Sequence, residues 1–134
     1  MDNYEVVPIG WLESELTDRS VAPMQGSEGA PPAWLVILPD FADAIEDVSV
    51  GDRLLVFTWL HLAVRDSLQV RPRDDRSRPL TGVFSTRSPD RPNPIGLHPV
   101  TVLERRGLRL LVSEMEAIHG TPVIDIKPVI RRDT

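Results

Sequence analysis

Three prolines within six residues (Pro89, Pro92, Pro94) and two arginines four apart (Arg87, Arg91) set the stretch GVFSTRSPDRPNPIG, Gly82 to Gly96, apart from the rest of the chain. Guanidinium groups are planar and permanently charged, and they match carboxylates and phosphates in a fork geometry. A residue before proline is pushed toward extended backbone, and proline fixes its own φ. Ser88, Arg91 and Asn93 each precede a proline. The loop is therefore close to rigid before any ligand arrives, which lowers the freedom lost on binding. Arg87 and Arg91 can point into one cleft and hold an anion, and backbone carbonyls of the extended segments can face a cation. The plain alternative is a structural turn with solvated arginines. A proline-rich ligand for another protein fits less well, because the stretch sits between strands.

The charge distribution supports a local anion site. The net charge of -5 divides into -9 over residues 1–64, where eleven acids face Arg19 and Arg53, and +4 over residues 65–134, where thirteen bases face nine acids. Seven arginines lie between Arg65 and Arg91. A solvated charged surface is the ordinary reading of such a run. The functional reading is an anion site on an acidic body, suited to a substrate phosphate or carboxylate and open to widening by Arg109, Arg131 and Arg132. The global charge opposes tight nonspecific binding to nucleic acid.

Several chemistries have no motif here. The eight glycines never form G-x-G-x-x-G, and no P-loop is present. His61, His98 and His119 are far apart in sequence and no H-E-x-x-H pair occurs, so no metal is expected, and each histidine alone is more often a surface or core residue than a ligand. No serine sits in G-x-S-x-G. The absence of cysteine excludes disulfides and thiolate chemistry. The apolar runs WLVIL and LLVFTWL are far shorter than the roughly 20 residues that span a bilayer. The acidic start MDNYEVV has no basic region ahead of an apolar core, so neither signal peptide nor membrane partner is expected and a cytoplasmic location is the default.

The elements that must position the loop read mostly as strands. At 134 residues the chain has the size of one domain, residues 1–134. The period is two rather than 3.6 in Tyr4–Ser14, Ala33–Leu38, Arg53–His61, Ser67–Val70, Leu80–Thr86, Ile95–Arg105, Leu108–Met115 and Pro122–Val129. In the last of these, Asp125 and Lys127 share one face opposite Ile124 and Ile126. Gly107 suits a hairpin between its neighbours. One helical segment is expected in LPDFADAIEDV, where Phe41, Ile45 and Val48 recur at helical spacing after Asp40 as a cap. About eight short strands and one short helix predict an all-β, closed or nearly closed barrel. The longest irregular stretches are residues 20–33 and the arginine-rich Arg71–Pro79.

At the loop a family resemblance enters. GVFSTRSPDRPNPIGLHPVTVL, followed at a distance by HGTPVIDIKP, resembles the paired signature of the TsaA-like family of S-adenosylmethionine-dependent tRNA methyltransferases. The likeness extends to Ile9–Gly10, to LPDFADAIEDV and to Trp59–His61. It implies a β-barrel that dimerises and binds S-adenosylmethionine without a Rossmann fold, with tRNA as partner and N6 of threonylcarbamoyl-adenosine beside the anticodon as methyl acceptor. Matched onto this sequence, it places Phe84, Ser85, Thr86, Arg87, Ser88, Pro94, Ile95, Gly96 and Leu97 around the methyl donor, with Asp125 and Lys127 nearby. Asp125 is a partner for an ammonium or ribose hydroxyl; Lys127 either joins it or pairs with it structurally. His61 and Gln25 are further candidates, Gln25 standing where the family often has P-R-Q and this chain has APMQ. Arg71, Arg73, Arg76, Arg78 and Arg91 are expected to face the phosphates of tRNA. No residue identifies itself as the base that the poorly nucleophilic acceptor nitrogen needs.

The sequence also departs from the family pattern. His119 replaces the aspartate before GTP, Val129 replaces the tyrosine after DIKP, and IRRDT ends the chain without the extension some members use for tRNA. These departures leave a second function class open: a regulatory module that binds S-adenosylmethionine or a nucleotide without transferring a methyl group.

Overall fold

In a computed structural model, residues 1–18, 22–24 and 26–130 are described. Six strands form the wall: β1 (Gly10–Glu13), β2 (Ala33–Ile37), β3 (Arg53–Trp59), β6 (Ile95–Arg106), β7 (Arg109–Val112) and β8 (Pro122–Pro128). A separate two-stranded ladder joins β4 (Gln69–Val70) to β5 (Thr81–Gly82). The wall is antiparallel throughout, in the order β1-β2-β7-β6-β3-β8, and it closes where β1 pairs with β8.

Alternation explains the wall. Leu35 and Ile37 of β2, Leu54, Val56 and Thr58 of β3, and Gly96, His98, Val100 and Val102 of β6 point inward and are buried, while their neighbours face out. Leu12, Leu110, Val112, Met115 and Val123 complete the core. β6 serves two partners: its first half pairs with β3 and its second with β7, with a bulge between Val102 and Glu104 that lets the long strand turn around the barrel. Gly107 (φ 60°) starts a two-residue hairpin from Arg106 to Arg109, as the sequence predicts.

Because neighbours run antiparallel, one rim collects the ends of β1, β3 and β7 and the starts of β2, β6 and β8. Residues 14–32, 60–94 and 113–121 all lie on that rim. The other rim is plugged by a 3-10 helix, Pro39–Ile45, whose Ile45 is buried with Phe41 and Val48 packed against the core. The Arg105 guanidinium closes this plug by donating to the carbonyls of Ile45 (2.6 Å) and Val48 (2.7 Å).

Three expectations are corrected. The helix is 3-10, and Asp40 does not cap it: Pro39 occupies its first turn and Leu38 precedes it without a side-chain cap. The expected Tyr4–Ser14 strand shrinks to Gly10–Glu13. The expected Leu80–Thr86 strand stops at Gly82, and Val83–Ser85 turns as a 3-10 segment. There the Thr86 N–H (3.0 Å) and hydroxyl (2.9 Å) both donate to the Val83 carbonyl, the competition with strand pairing that threonine offers.

Candidate functional site

The loop between β5 and β6 hangs from the rim and is anchored from below. Val83 is buried. Arg91, half-buried, directs its guanidinium back into the loop, where it donates to the carbonyls of Val83 (3.0 Å), Thr86 (3.1 Å) and Ser88 (2.9 Å). The cation that the extended carbonyls face is thus the loop's own arginine. Arg91, expected from the sequence to face tRNA, is engaged instead as a staple of the loop.

The segment after β3 clamps the same loop from the side. The Leu60 N–H donates to the Pro94 carbonyl (2.8 Å), the Arg91 N–H to the Val64 carbonyl (3.0 Å), and the Val64 N–H to the Asp90 carboxylate (2.8 Å). Arg65 donates to the Pro92 carbonyl (2.7 Å) and the Asn93 side chain (3.2 Å) while lying 5.0 Å above the Trp59 ring. Arg65 is therefore structural, a role that its residue type alone does not reveal. His61 sits exposed in this clamp, on the same rim as the loop.

With the frame fixed, the exposed side chains of the loop that no described residue engages are those a ligand can meet. Arg87 is exposed and has no hydrogen bond or ion pair among the described residues. Phe84 is 83% exposed, an unusual state for a phenyl ring in a rigid loop. Ser85 is exposed beside it, whereas Thr86 and Ser88 spend their hydroxyls within the loop. Pro94 and Gly96 are buried, Ile95 and Leu97 face outward. Gly96 has a steric reason: a Cβ there would lie 2.6 Å from His98 Nε2 and closer still to Thr58 Oγ1. Gly96→Ala is expected to lower the melting temperature by about 5 °C or more, since overpacking a core costs about 1–3 kcal/mol; a thermal melt matching the parent within 1 °C would refute this packing account.

Asp125 and Lys127 stand on the outer wall. The register aligns Asp125 with Phe57 and Phe57 with Leu97, so Asp125 lies two strand spacings, about 10 Å, from Leu97 on the same face. Lys127 Nζ is 3.8 Å from Asp125 Oδ2, and both side chains are largely exposed. Such a pair is weak and leaves either group available. Gln25, like Arg131 and Arg132, lies outside the described residues.

The arginine-rich segment is more committed than the sequence suggests. Arg71 donates to the Arg78 carbonyl (2.6 Å), Arg78 lies 3.6 Å from Asp75, and Arg73 is ion-paired with Glu28. The Glu28 hydrogen bond pushes the Arg73 guanidinium above its usual range. The Ser77 hydroxyl and backbone N–H hold the Asp75 carboxyl below the usual carboxylate range, with Arg78 adding a smaller pull in the same direction. Arg76 alone of the four has no partner among the described residues. Three residues missed by motif reading, Thr58, His98 and Glu116, form a hydrogen-bonded chain beneath Gly96. Among the described residues no group of three metal-ligating side chains comes together, and no helix is long and apolar enough to cross a membrane.

A closed antiparallel barrel with a stapled, arginine-presenting rim loop and no phosphate-binding glycine motif defines a class of fold and site distinct from the dinucleotide-binding folds. The family described as the tRNA-methyltransferase O N-terminal domain matches residues 11–133, and the chain belongs to it. A probable S-adenosyl-L-methionine-binding protein of Methanothermobacter thermautotrophicus is 44% identical over 121 residues, covering 90% of this chain and 86% of that relative. An S-adenosyl-L-methionine-binding protein of Archaeoglobus fulgidus is 39% identical, covering 90% and 85%. A crystal structure of TrmO from Pseudomonas aeruginosa superposes with a TM-score of 0.77 at 29% identity, covering 98% of this chain. This chain spans 57% of the length of that solved protein.

Proposed function

We propose that this protein binds S-adenosylmethionine at the rim loop and transfers its methyl group to a tRNA, with N6 of threonylcarbamoyl-adenosine in the anticodon loop as acceptor. The observation that carries the reading is the division of labour between two arginines. Arg91 is used up in holding the loop, and Arg87, without a partner among the described residues, stands exposed on that rigid frame three residues after an exposed phenyl ring. The names of relatives supply the ligand, and the residues fit it. A free guanidinium suits the donor carboxylate, an exposed aromatic face suits adenine, and the Asp125 carboxylate suits an ammonium or ribose hydroxyl.

The donor supplies an electrophilic methyl carbon on a sulfonium, and its transfer is an in-line displacement. The protein's part is then to orient both partners and exclude water. Arg87 orients the donor through its carboxylate, Phe84 covers its base, and the stapled loop holds both in register. Arg73 and Arg76 meet the phosphates that position the RNA. Such a protein works in the cytoplasm, where tRNA is.

Homodimerisation belongs to the same reading. The outer wall of β3 and β6 presents Leu55, Phe57, Ile95, Leu97 and Leu103, with Ile95 42% and Leu103 47% exposed, and a second copy is the natural cover. Light scattering at tens of micromolar is expected to report twice the 15.0 kDa chain mass; a 15.0 kDa species alone would refute the dimer.

The second reading, a donor-binding module without transfer, draws on one observation: these relatives are named for binding S-adenosyl-L-methionine and not for methyl transfer. Mass spectrometry of nucleosides from cellular tRNA, with and without the gene, decides between them. Loss of the methylated nucleoside supports the enzyme. An unchanged nucleoside profile together with retained donor binding supports the module.

A further inference from the structure

His98 is 3% exposed and Thr58 fully buried inside the barrel. His98 Nε2 lies 2.6 Å from Thr58 Oγ1, and Nδ1 lies 2.6 Å from Oε1 of Glu116, whose side chain is 15% exposed. An ionised carboxylate only accepts, so Nδ1–H donates to Glu116. In the neutral imidazole Nε2 is then the acceptor, and the Thr58 hydroxyl donates to it. No buried side-chain polar atom among the described residues lacks a partner.

Hydroxyl, imidazole and carboxylate in this order are the parts of an acyl-transfer triad. Burial excludes that use: Thr58 is fully buried and the Gly96 backbone packs directly on it, so no substrate carbon can reach the hydroxyl. What the chain does instead follows from its ends. Thr58 belongs to β3, one residue before the Trp59–Arg65 region that clamps the loop. Glu116 belongs to the 113–121 segment of the rim, which is pinned on both sides of it: Met115 is buried and donates its N–H to the Pro31 carbonyl (3.1 Å), and the His119 N–H donates to the Leu16 carbonyl (2.7 Å). His98 is the only link in the chain that touches both, and its ring abuts Gly96, a residue of the proposed donor site.

We infer that His98, held by Glu116, is a positioning residue: it locks the start of β6 (Ile95, Gly96, Leu97) to the 113–121 segment and thereby fixes the wall on which the donor rests. The inference rests on the donor-binding reading above. Short hydrogen bonds to a charged group inside a barrel are stronger than the same bonds in water, so loss of the anchor is felt at the ring and passed to the backbone packed against it.

Glu116 is the residue to change, because it lies at the rim and, unlike Thr58 and His98, is not fully enclosed by the barrel. Glu116→Ala leaves Nδ1–H without its acceptor, whereas Glu116→Gln offers an amide oxygen in the same place. Amide hydrogen exchange at Gly96 and His98, whose N–H groups face β3 in the ladder, is expected to speed up at least tenfold in Glu116→Ala and to stay within threefold of the parent in Glu116→Gln. Calorimetry with S-adenosylmethionine, at a temperature where each variant is fully folded, should show at least tenfold weaker binding for Glu116→Ala and within twofold for Glu116→Gln. Unchanged exchange in Glu116→Ala overturns the inference, and so does parental donor affinity in that variant. A parent that binds no donor removes the donor reading instead, and the exchange measurement then still decides whether His98 positions the strand. Equal losses in both Glu116 variants show that the amide cannot replace the carboxylate, and refute positioning by hydrogen-bond geometry.

Discussion

Arg87→Ala should weaken S-adenosylmethionine binding at least tenfold while moving the melting temperature by less than about 1 °C, and Arg91→Ala should lower both. The two residues are four apart with identical side chains, and the contrast comes entirely from what they touch. Arg87 has no partner among the described residues, so its removal breaks nothing in the free protein. A charge-assisted contact to the donor carboxylate contributes about 1.5–3 kcal/mol, and about 1.4 kcal/mol is a factor of ten in affinity. Arg91 donates to three backbone carbonyls in a half-buried loop. Its removal returns the Thr86 and Ser88 carbonyls to water or leaves them unpaired, takes one of three donors from the Val83 carbonyl, and frees a loop that the prolines alone do not close. A loss of about 1–2 kcal/mol is expected there, or about 5 °C or more in the melt. Calorimetry and thermal melts of both variants test the pair. Parental donor affinity in Arg87→Ala would remove the anion-site reading, and an unchanged melt in Arg91→Ala would remove the staple.

The staple was partly legible. Proline supplies a carbonyl and no N–H, so Pro89, Pro92 and Pro94 leave this loop with more acceptors than donors. A guanidinium with up to five N–H groups is the side chain that corrects such a surplus. What the sequence withholds is which arginine turns inward, because that depends on the three-dimensional path of Val83–Ser88. The strands were legible for a stronger reason. Alternation over Ala33–Ile37, Arg53–Trp59 and Ile95–Arg106 is dictated by the closed core, and the same rule places His98 inside with Val100 and Val102. Its partner was out of reach: Glu116 is 18 residues downstream in an irregular segment with no period to read. The helix failed for a related reason. Phe41 and Ile45 reach the core from the 3-10 segment and Val48 from just beyond it, much as all three would from an α-helix, so their spacing fixes the buried side without fixing the pitch. The Arg73–Glu28 pair joins residues 45 apart across two loops and leaves no local trace.

Reversing charge at Arg73 and Arg76 together should raise the apparent KM for tRNA at least tenfold and flatten its salt dependence, with S-adenosylmethionine affinity staying within twofold. The segment 65–91 carries seven arginines against Asp66, Asp74, Asp75 and Asp90, whereas residues 1–64 carry a charge of -9 and repel a polyanion. Under the proposed tRNA reading, this arginine-rich segment is the surface expected to meet RNA. Phosphate contacts position without reading sequence, and each one lost lowers the slope of log affinity against log salt by a little under one unit. The single variants are not equivalent. Arg76 is unpartnered among the described residues, so Arg76→Glu removes a ready contact. Arg73 must first exchange the Glu28 carboxylate for a phosphate, which makes its net contribution smaller, and Glu28→Gln should accordingly tighten tRNA binding by a factor of about two to five. Titrating tRNA against the three variants at two or more salt concentrations separates these terms. If the Arg73 and Arg76 reversal weakens donor binding as much as Arg87→Ala does, the arginine-rich segment folds over the donor itself, and the assignment of one loop to the donor and the other to RNA fails.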